Sequence, residues 1–99
     1  MSTDVQIDEK VVVSLEPPKL WKVVFLNDDQ TPMEFVIDLL VGIFRHTENQ
    51  ARDITMEIHT TGSAIAGIYP YEIAEHRGIE ATQMARQNGF PLKIQVEQE

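Results

Sequence analysis

The densest cluster of polar functional groups in the chain is Asn27-Asp28-Asp29-Gln30-Thr31. Two carboxylates, two amides and a hydroxyl this close together carry a surplus of hydrogen-bond acceptors, and three kinds of chemistry fit them. One is turn chemistry, because Asn and Asp bond their own backbone and Thr caps a following helix. Another is a cation site, in which acceptors not satisfied by the turn receive an ammonium group. The third is a metal, but calcium or magnesium would require more carboxylates at coordinating spacing, and the calcium-loop pattern is absent. His59 follows Ile58 on an apolar helical stripe. It serves either as the half-buried partner of a backbone carbonyl or, if it faces the Asn27–Thr31 loop, as a further acceptor for the same ammonium group. His46 and His76 lie among polar residues and are expected at the surface.

A hydrolase built from Asp28 or Asp29 with His59 would need a nucleophile. Thr31 is expected to be occupied as a helix cap, and Ser63 has no motif around it. No G-x-S-x-G elbow, H-E-x-x-H pair or glycine-rich phosphate loop is present. The chain has no cysteine, which removes thiol nucleophiles, disulfides and Cys-based zinc sites. No catalytic residue, metal or cofactor is expected. Beside the polar cluster, Met33, Val36, Thr55, Ile58 and Leu92 are spaced so that two helices and the last strand could line a common pocket. Ordinary core packing is the competing account of the same residues.

These groups must be placed by a small scaffold. The chain has 99 residues, about one domain. It carries 16 acidic and 8 basic residues, a formal charge of −8. The first 20 residues hold four acidic and two basic, which leaves −6 on the remaining 79, so the bias belongs to the body. No Lys/Arg cluster offers the basic footprint that nucleic acid or an anionic membrane needs. No apolar run approaches the ~20 residues of a membrane span, and the N-terminus lacks the marks of a signal or transit peptide. We expect a soluble protein of a reducing cytoplasm.

Residues 1–20 are polar and acidic around Val11-Val12-Val13 and end in Pro17-Pro18-Lys19-Leu20. This composition predicts a flexible N-terminal extension joined at the prolines to a domain over residues 21–99. Val11–Leu15 could add an edge strand. Trp21–Leu26 is β-branched and aromatic and predicts a strand. Thr31-Pro32-Met33-Glu34 predicts a helix start with Thr31 as cap, Pro32 at the first helical position and Glu34 closing a capping box. Phe35, Val36, Leu39, Leu40, Ile43 and Phe44 then repeat at helical spacing to a stop near His46. Thr47-Glu48-Asn49-Gln50 is a second capping box, opening a helix with Ala51, Ile54, Thr55 and Ile58 on one face, and Gly62 suits the left-handed residue at its end. Ser63–Tyr69 reads as a strand. Pro70 opens a third helix bearing Ile73, Ala74, Ala81, Met84 and Ala85, which ends near Asn88-Gly89. Pro91–Glu97 alternates as a half-solvated strand. The order β-α-α-β-α-β predicts a two-layer α+β domain whose three strands carry all three helices on one face.

The run Val24-Phe25-Leu26-Asn27-Asp28-Asp29-Gln30-Thr31-Pro32-Met33-Glu34-Phe35-Val36 resembles the signature of the ClpS adaptor family. So do Ile58-His59 followed by Gly62, Tyr69 with Glu72-Ile73-Ala74-Glu75, Ala85-Arg86 with Gly89, and Pro91-Leu92. The resemblance spans about residues 17–97. It implies three antiparallel strands with three helices, and a non-enzymatic adaptor that recognises substrates (N-degrons) by an N-terminal Phe, Tyr, Trp or Leu. It further implies delivery to the AAA+ unfoldase ClpA, or ClpC, of the Clp protease in a bacterial cytoplasm, by an adaptor acting as a monomer. Carried over by position, Asn27, Asp28, Asp29 and His59 would contact the substrate's free α-amino group. Thr31, Met33, Val36, Ile58 and Leu92 would form the side-chain pocket, with Met33 as the wall against β-branched residues. Glu72 and Arg77 would dock the unfoldase's N-terminal domain, and residues 1–20 would serve handover. Two positions depart from the family. Thr55 stands where Met is frequent, which predicts a smaller, more polar pocket floor, and Gln30 replaces a frequent Tyr, on the rim. A module that regulates Clp without reading N-degrons is the alternative.

Overall fold

The computed structural model describes residues 17–99. Its elements are β1 (Leu20–Leu26), α1 (Met33–Gly42), α2 (Glu48–Thr61), β2 (Ser63–Pro70), α3 (Tyr71–Gln87) and β3 (Lys93–Gln98). The order β-α-α-β-α-β and the antiparallel three-stranded sheet are those expected. The extension expected over residues 1–20 lies outside the described residues as far as Glu16, as does the Val11–Leu15 strand. Leu20 already belongs to β1. Among the described residues no helix is long and apolar enough to cross a membrane.

β1 is the central strand, in the order β2-β1-β3, because both its neighbours need its β-branched side chains. Val23 and Phe25 are fully buried under the helices, packed with Ala64 and Ala66 of β2 and with Ile94 and Val96 of β3. The alternate residues Lys22, Val24, Ile65, Ile68 and Gln95 lie on the opposite face, where Ile65 and Ile68 are exposed. A sheet covered on one side only explains the polar alternation of β3.

α3 meets the sheet through Ala74, Gly78, Ala81 and Ala85. Ile73 and Met84, expected on that stripe, are exposed instead. Small residues win the inner face because the helix lies close to the strands. A Cβ on Gly78 would come within 3.1 Å of a Val96 methyl group.

Helix ends follow the sequence in part. The second box forms as predicted: the Gln50 N–H donates to the Thr47 hydroxyl (3.1 Å), the Thr47 N–H donates to Gln50 Oε1 (3.0 Å), and Gly62 ends α2 at φ 100°. The first box does not form. Pro32 is the residue before α1, with no side-chain cap, and its carbonyl accepts from Phe35 and Val36. Thr31 is drawn away by a stronger acceptor, the Asp28 carboxylate, to which it donates both its hydroxyl and its N–H. Regular helix stops at Gly42, short of His46. Arg45 then takes the left-handed conformation (φ 64°), and the His46 N–H closes on the Leu40 carbonyl at 3.1 Å.

His46 is half-buried rather than a surface group. β2 carries an extra residue where Val23 and Val24 pair with Gly67 and Ile65, and the His46 ring donates from Nε2 to the carbonyl of that residue, Ala66. His76 is exposed, as expected.

Candidate functional site

Between the β1–α1 loop, the start of α1, the last turns of α2 and the residue preceding β3 lies a cleft of about 380 Å³. The structure brings to it all ten residues singled out for a binding site: Asn27, Asp28, Asp29, Thr31, Met33, Val36, Thr55, Ile58, His59 and Leu92. Leu26 and Pro32 also line it. Sequence reasoning passed over these two, although each directly adjoins a residue it had chosen.

The floor is largely apolar and its residues are buried. Val36, Thr55, Ile58 and Leu92 are between 1% and 5% exposed. Met33 stands at the mouth, 40% exposed, and Asn27, Asp29 and His59 share the rim. One backbone bond holds the rim together. The Asn27 N–H donates to the carbonyl of Gly62 at 2.9 Å, which clamps the end of β1 to the end of α2 and sets Asn27 near the turn that carries His59.

The polar cluster divides its labour. Asp28 makes the turn: its Oδ1 accepts from the N–H groups of Gln30 (2.8 Å) and Thr31 (2.7 Å), and its Oδ2 accepts from the Thr31 hydroxyl (2.8 Å). Burial opposes ionisation of this carboxyl. The three hydrogen bonds, with the charge of Arg86, outweigh that and hold it below the usual aspartate range. The side chains of Asn27, Asp29 and His59 have no hydrogen-bond partner among the described residues, so their acceptor atoms remain free for a ligand. Among the described residues no Lys or Arg lines the cleft.

Thr55 is small, as expected, but its hydroxyl does not make the floor a donor surface. Its Oγ1–H is committed to the Ala51 carbonyl one turn back, at 2.8 Å. Leu92 is supported from outside the cleft. Phe90 packs edge-on against Phe35 of α1, with ring centroids 4.9 Å apart, and Arg86 bonds the carbonyls of Phe90 and Leu92.

Glu72 and Arg77 are not brought together. Five residues apart on α3, they point about 140° from one another around the helix. Glu72 is exposed in the first turn. Arg77 is half-buried, donating to the Ile43 carbonyl at the end of α1 and lying over the Tyr69 ring, 5.4 Å from its centroid. A second hollow of about 540 Å³ runs between α3 and the β1–β3 side of the sheet, past Trp21, Tyr71, Ile79 and Val96. Its one carboxylate, Glu75, accepts from the Tyr71 hydroxyl at 3.0 Å through Oε2. No group of three or more potential metal ligands occurs among the described residues.

Residues 16–95 match the family model for ATP-dependent Clp protease adaptor protein ClpS. The ATP-dependent Clp protease adapter protein ClpS of Shewanella halifaxensis (strain HAW-EB4) is 44% identical over 93 residues, covering 94% of this chain and 91% of that protein. The protein of the same name from Bdellovibrio bacteriovorus is 42% identical over 90 residues, or 91% and 79% of the two chains. The solved structure of Agrobacterium tumefaciens ClpS2 bound to L-phenylalaninamide is similar at a TM-score of 0.81 and 43% identity, over 84% of this chain and all of that one.

Proposed function

This chain belongs to the ClpS family, adaptors of the Clp protease rather than enzymes, and from that premise we propose that its cleft reads the N-terminal residue of a substrate protein. The observation that carries this reading is the pairing of three polar side chains without a partner among the described residues, Asn27, Asp29 and His59, with a buried apolar floor in one opening. A free α-amino group brings several N–H donors and a positive charge, which suits an amide oxygen, a carboxylate and an imidazole nitrogen. Asp28 adds negative charge while holding the loop in shape. A Phe, Tyr, Trp or Leu side chain then gains about 25 cal/mol for each Å² of apolar surface it buries against Val36, Thr55, Ile58 and Leu92. Met33 at the mouth rejects β-branched side chains by contact near their first carbon. That a relative holds L-phenylalaninamide, a phenylalanine derivative with a free amine, supports the same reading.

In this proposal the bound substrate is delivered to the AAA+ unfoldase, ClpA or ClpC, in the cytoplasm of a bacterium. The adaptor acts as a monomer, with Glu72 and Arg77 of α3 each contributing to docking from different faces of the helix and residues 1–20 serving handover. The test is fluorescence anisotropy with two labelled peptides that differ only in a free or acetylated N-terminal Phe. Acetylation removes the charge and most of the donors, so binding of the free form alone is expected. Equal binding of the two, or none, would overturn N-degron reading and leave a module that regulates Clp by protein contact. Deleting residues 1–17 is expected to preserve peptide binding and to stop degradation.

A further inference from the structure

The segment from Asn88 to Leu92 joins α3 to β3 and delivers Leu92, 1% exposed, to the floor of the cleft. Its own backbone secures only its first half. Asn88, Gly89 and Phe90 donate to carbonyls of the last turn of α3, and Gly89 turns the chain at φ 78°. Pro91 has no N–H to donate. Pairing with β1 resumes only at Lys93, opposite Leu26.

Across that interval reaches one side chain. Arg86 Nη1 donates to the Phe90 carbonyl at 3.0 Å and to the Leu92 carbonyl at 2.7 Å. Arg86 is exposed, and its backbone is held in place because the neighbouring Ala85 is fully buried against the sheet. A guanidinium nitrogen carries two N–H groups, so both bonds come from one planar, charged donor. Lysine has enough N–H groups on its one nitrogen, but it carries them on a more flexible stem as a freely rotating ammonium rather than in a fixed plane.

We propose that Arg86 is a positioning residue of the cleft: without touching the ligand, it fixes Leu92 through its carbonyl and thereby sets which N-terminal side chains the floor accepts. This rests on the reading of the cleft as an N-terminal-residue site.

The test compares wild type, Arg86→Ala and Arg86→Lys with four labelled peptides: free N-terminal Phe, free Leu, free Val and acetylated Phe. In Arg86→Ala the affinity for Phe is expected to fall about tenfold and the Phe-over-Val ratio to contract at least fivefold. The free-over-acetyl ratio should hold, because Asn27, Asp29 and His59 sit on the β1–α1 loop and α2, whereas Arg86 bonds only the segment before β3. Arg86→Lys should recover less than half of the lost Phe-over-Val ratio. A drop shared equally by all free peptides and tracking lost thermal stability would reduce Arg86 to a structural residue and overturn the proposal. So would an unchanged ratio.

A second readout needs no peptide. In methyl-labelled protein, Arg86→Ala should shift the Leu92 methyl resonances while those of Ile58 stay in place, and unmoved Leu92 methyls would overturn the proposal. If wild type failed to separate free from acetylated Phe, the reading of the site would fall while the methyl shifts still reported on Arg86.

Discussion

Asn27 and Gly62 are joined by a single backbone hydrogen bond of 2.9 Å, and this bond closes the rim of the cleft. It ties the residue after β1 to the left-handed residue that ends α2. Two polar groups from distant parts of the sequence, Asn27 and His59, thereby border one opening.

His59 and Asn27 have exposed side chains with no partner among the described residues, so each can be removed without opening the core. His59→Ala and Asn27→Ala should each weaken binding of a free N-terminal Phe peptide roughly tenfold to a hundredfold, the range for losing one charge-assisted hydrogen bond. Circular dichroism and thermal midpoint should stay at the wild-type values. Unchanged affinity in both variants would remove them from the amine site.

Asp28 makes three hydrogen bonds within the turn, so its loss should be felt by the fold as well as by the ligand. Asp28→Asn should cost about 1–2 kcal/mol at neutral pH. Its folded-state pKa is lowered, so the stabilisation is fully present above the ordinary aspartate value and is lost as pH falls through the depressed one. Urea unfolding at pH 7 and at about pH 3 checks this: the gap between wild type and variant should narrow at the lower pH. A gap that widened on acidification would contradict the sign.

Thr55→Met should fill part of the floor, since Thr55 is buried and lines the cleft. The expected result is a loss of Trp binding relative to Leu of roughly fivefold to tenfold, read by competition with a labelled Phe peptide. A gain for Trp would mean that the floor, rather than the mouth, is free to relax.

Gly67 is held to glycine by a neighbour. A Cβ there would run into the Tyr69 ring, which packs near Phe44 and beneath the Arg77 guanidinium. Gly67→Ala should therefore destabilise by about 1–3 kcal/mol, each kcal/mol lowering Tm by roughly 4–8 °C in a domain of this size. A Tm equal to wild type would show that Tyr69 moves aside freely.

Glu72 and Arg77 give different variants. Glu72 is exposed, so Glu72→Lys should leave peptide affinity intact and weaken binding of the purified N-terminal domain of the unfoldase at least tenfold. Arg77→Ala removes a bond to the Ile43 carbonyl and a stacking partner of Tyr69, and should lower thermal stability whatever it does to docking. Full docking by Glu72→Lys would take Glu72 off the interface.

Short-range features were legible in the sequence. The Thr47–Gln50 capping box, the Gly62 helix end and the alternation of β3 are set by residues within a few positions of one another, and each appears where its pattern placed it. The same local grammar misjudged the start of α1. Thr31 had two possible partners, a helix end and the Asp28 carboxylate, and the sequence does not rank them.

The sequence by itself determined the order of elements, the family and the ten residues that converge on the cleft. Tertiary structure alone decided how those residues share their bonds. It satisfied Asp28 within the turn and left the side chains of Asn27, Asp29 and His59 without a partner among the described residues. It turned the Thr55 hydroxyl onto its own helix, seated His46 on the bulge carbonyl of Ala66 and committed Arg77 to Ile43. The physical reason is competition: each donor has several acceptors within reach of its type, and only the packed distances between helices and sheet select one.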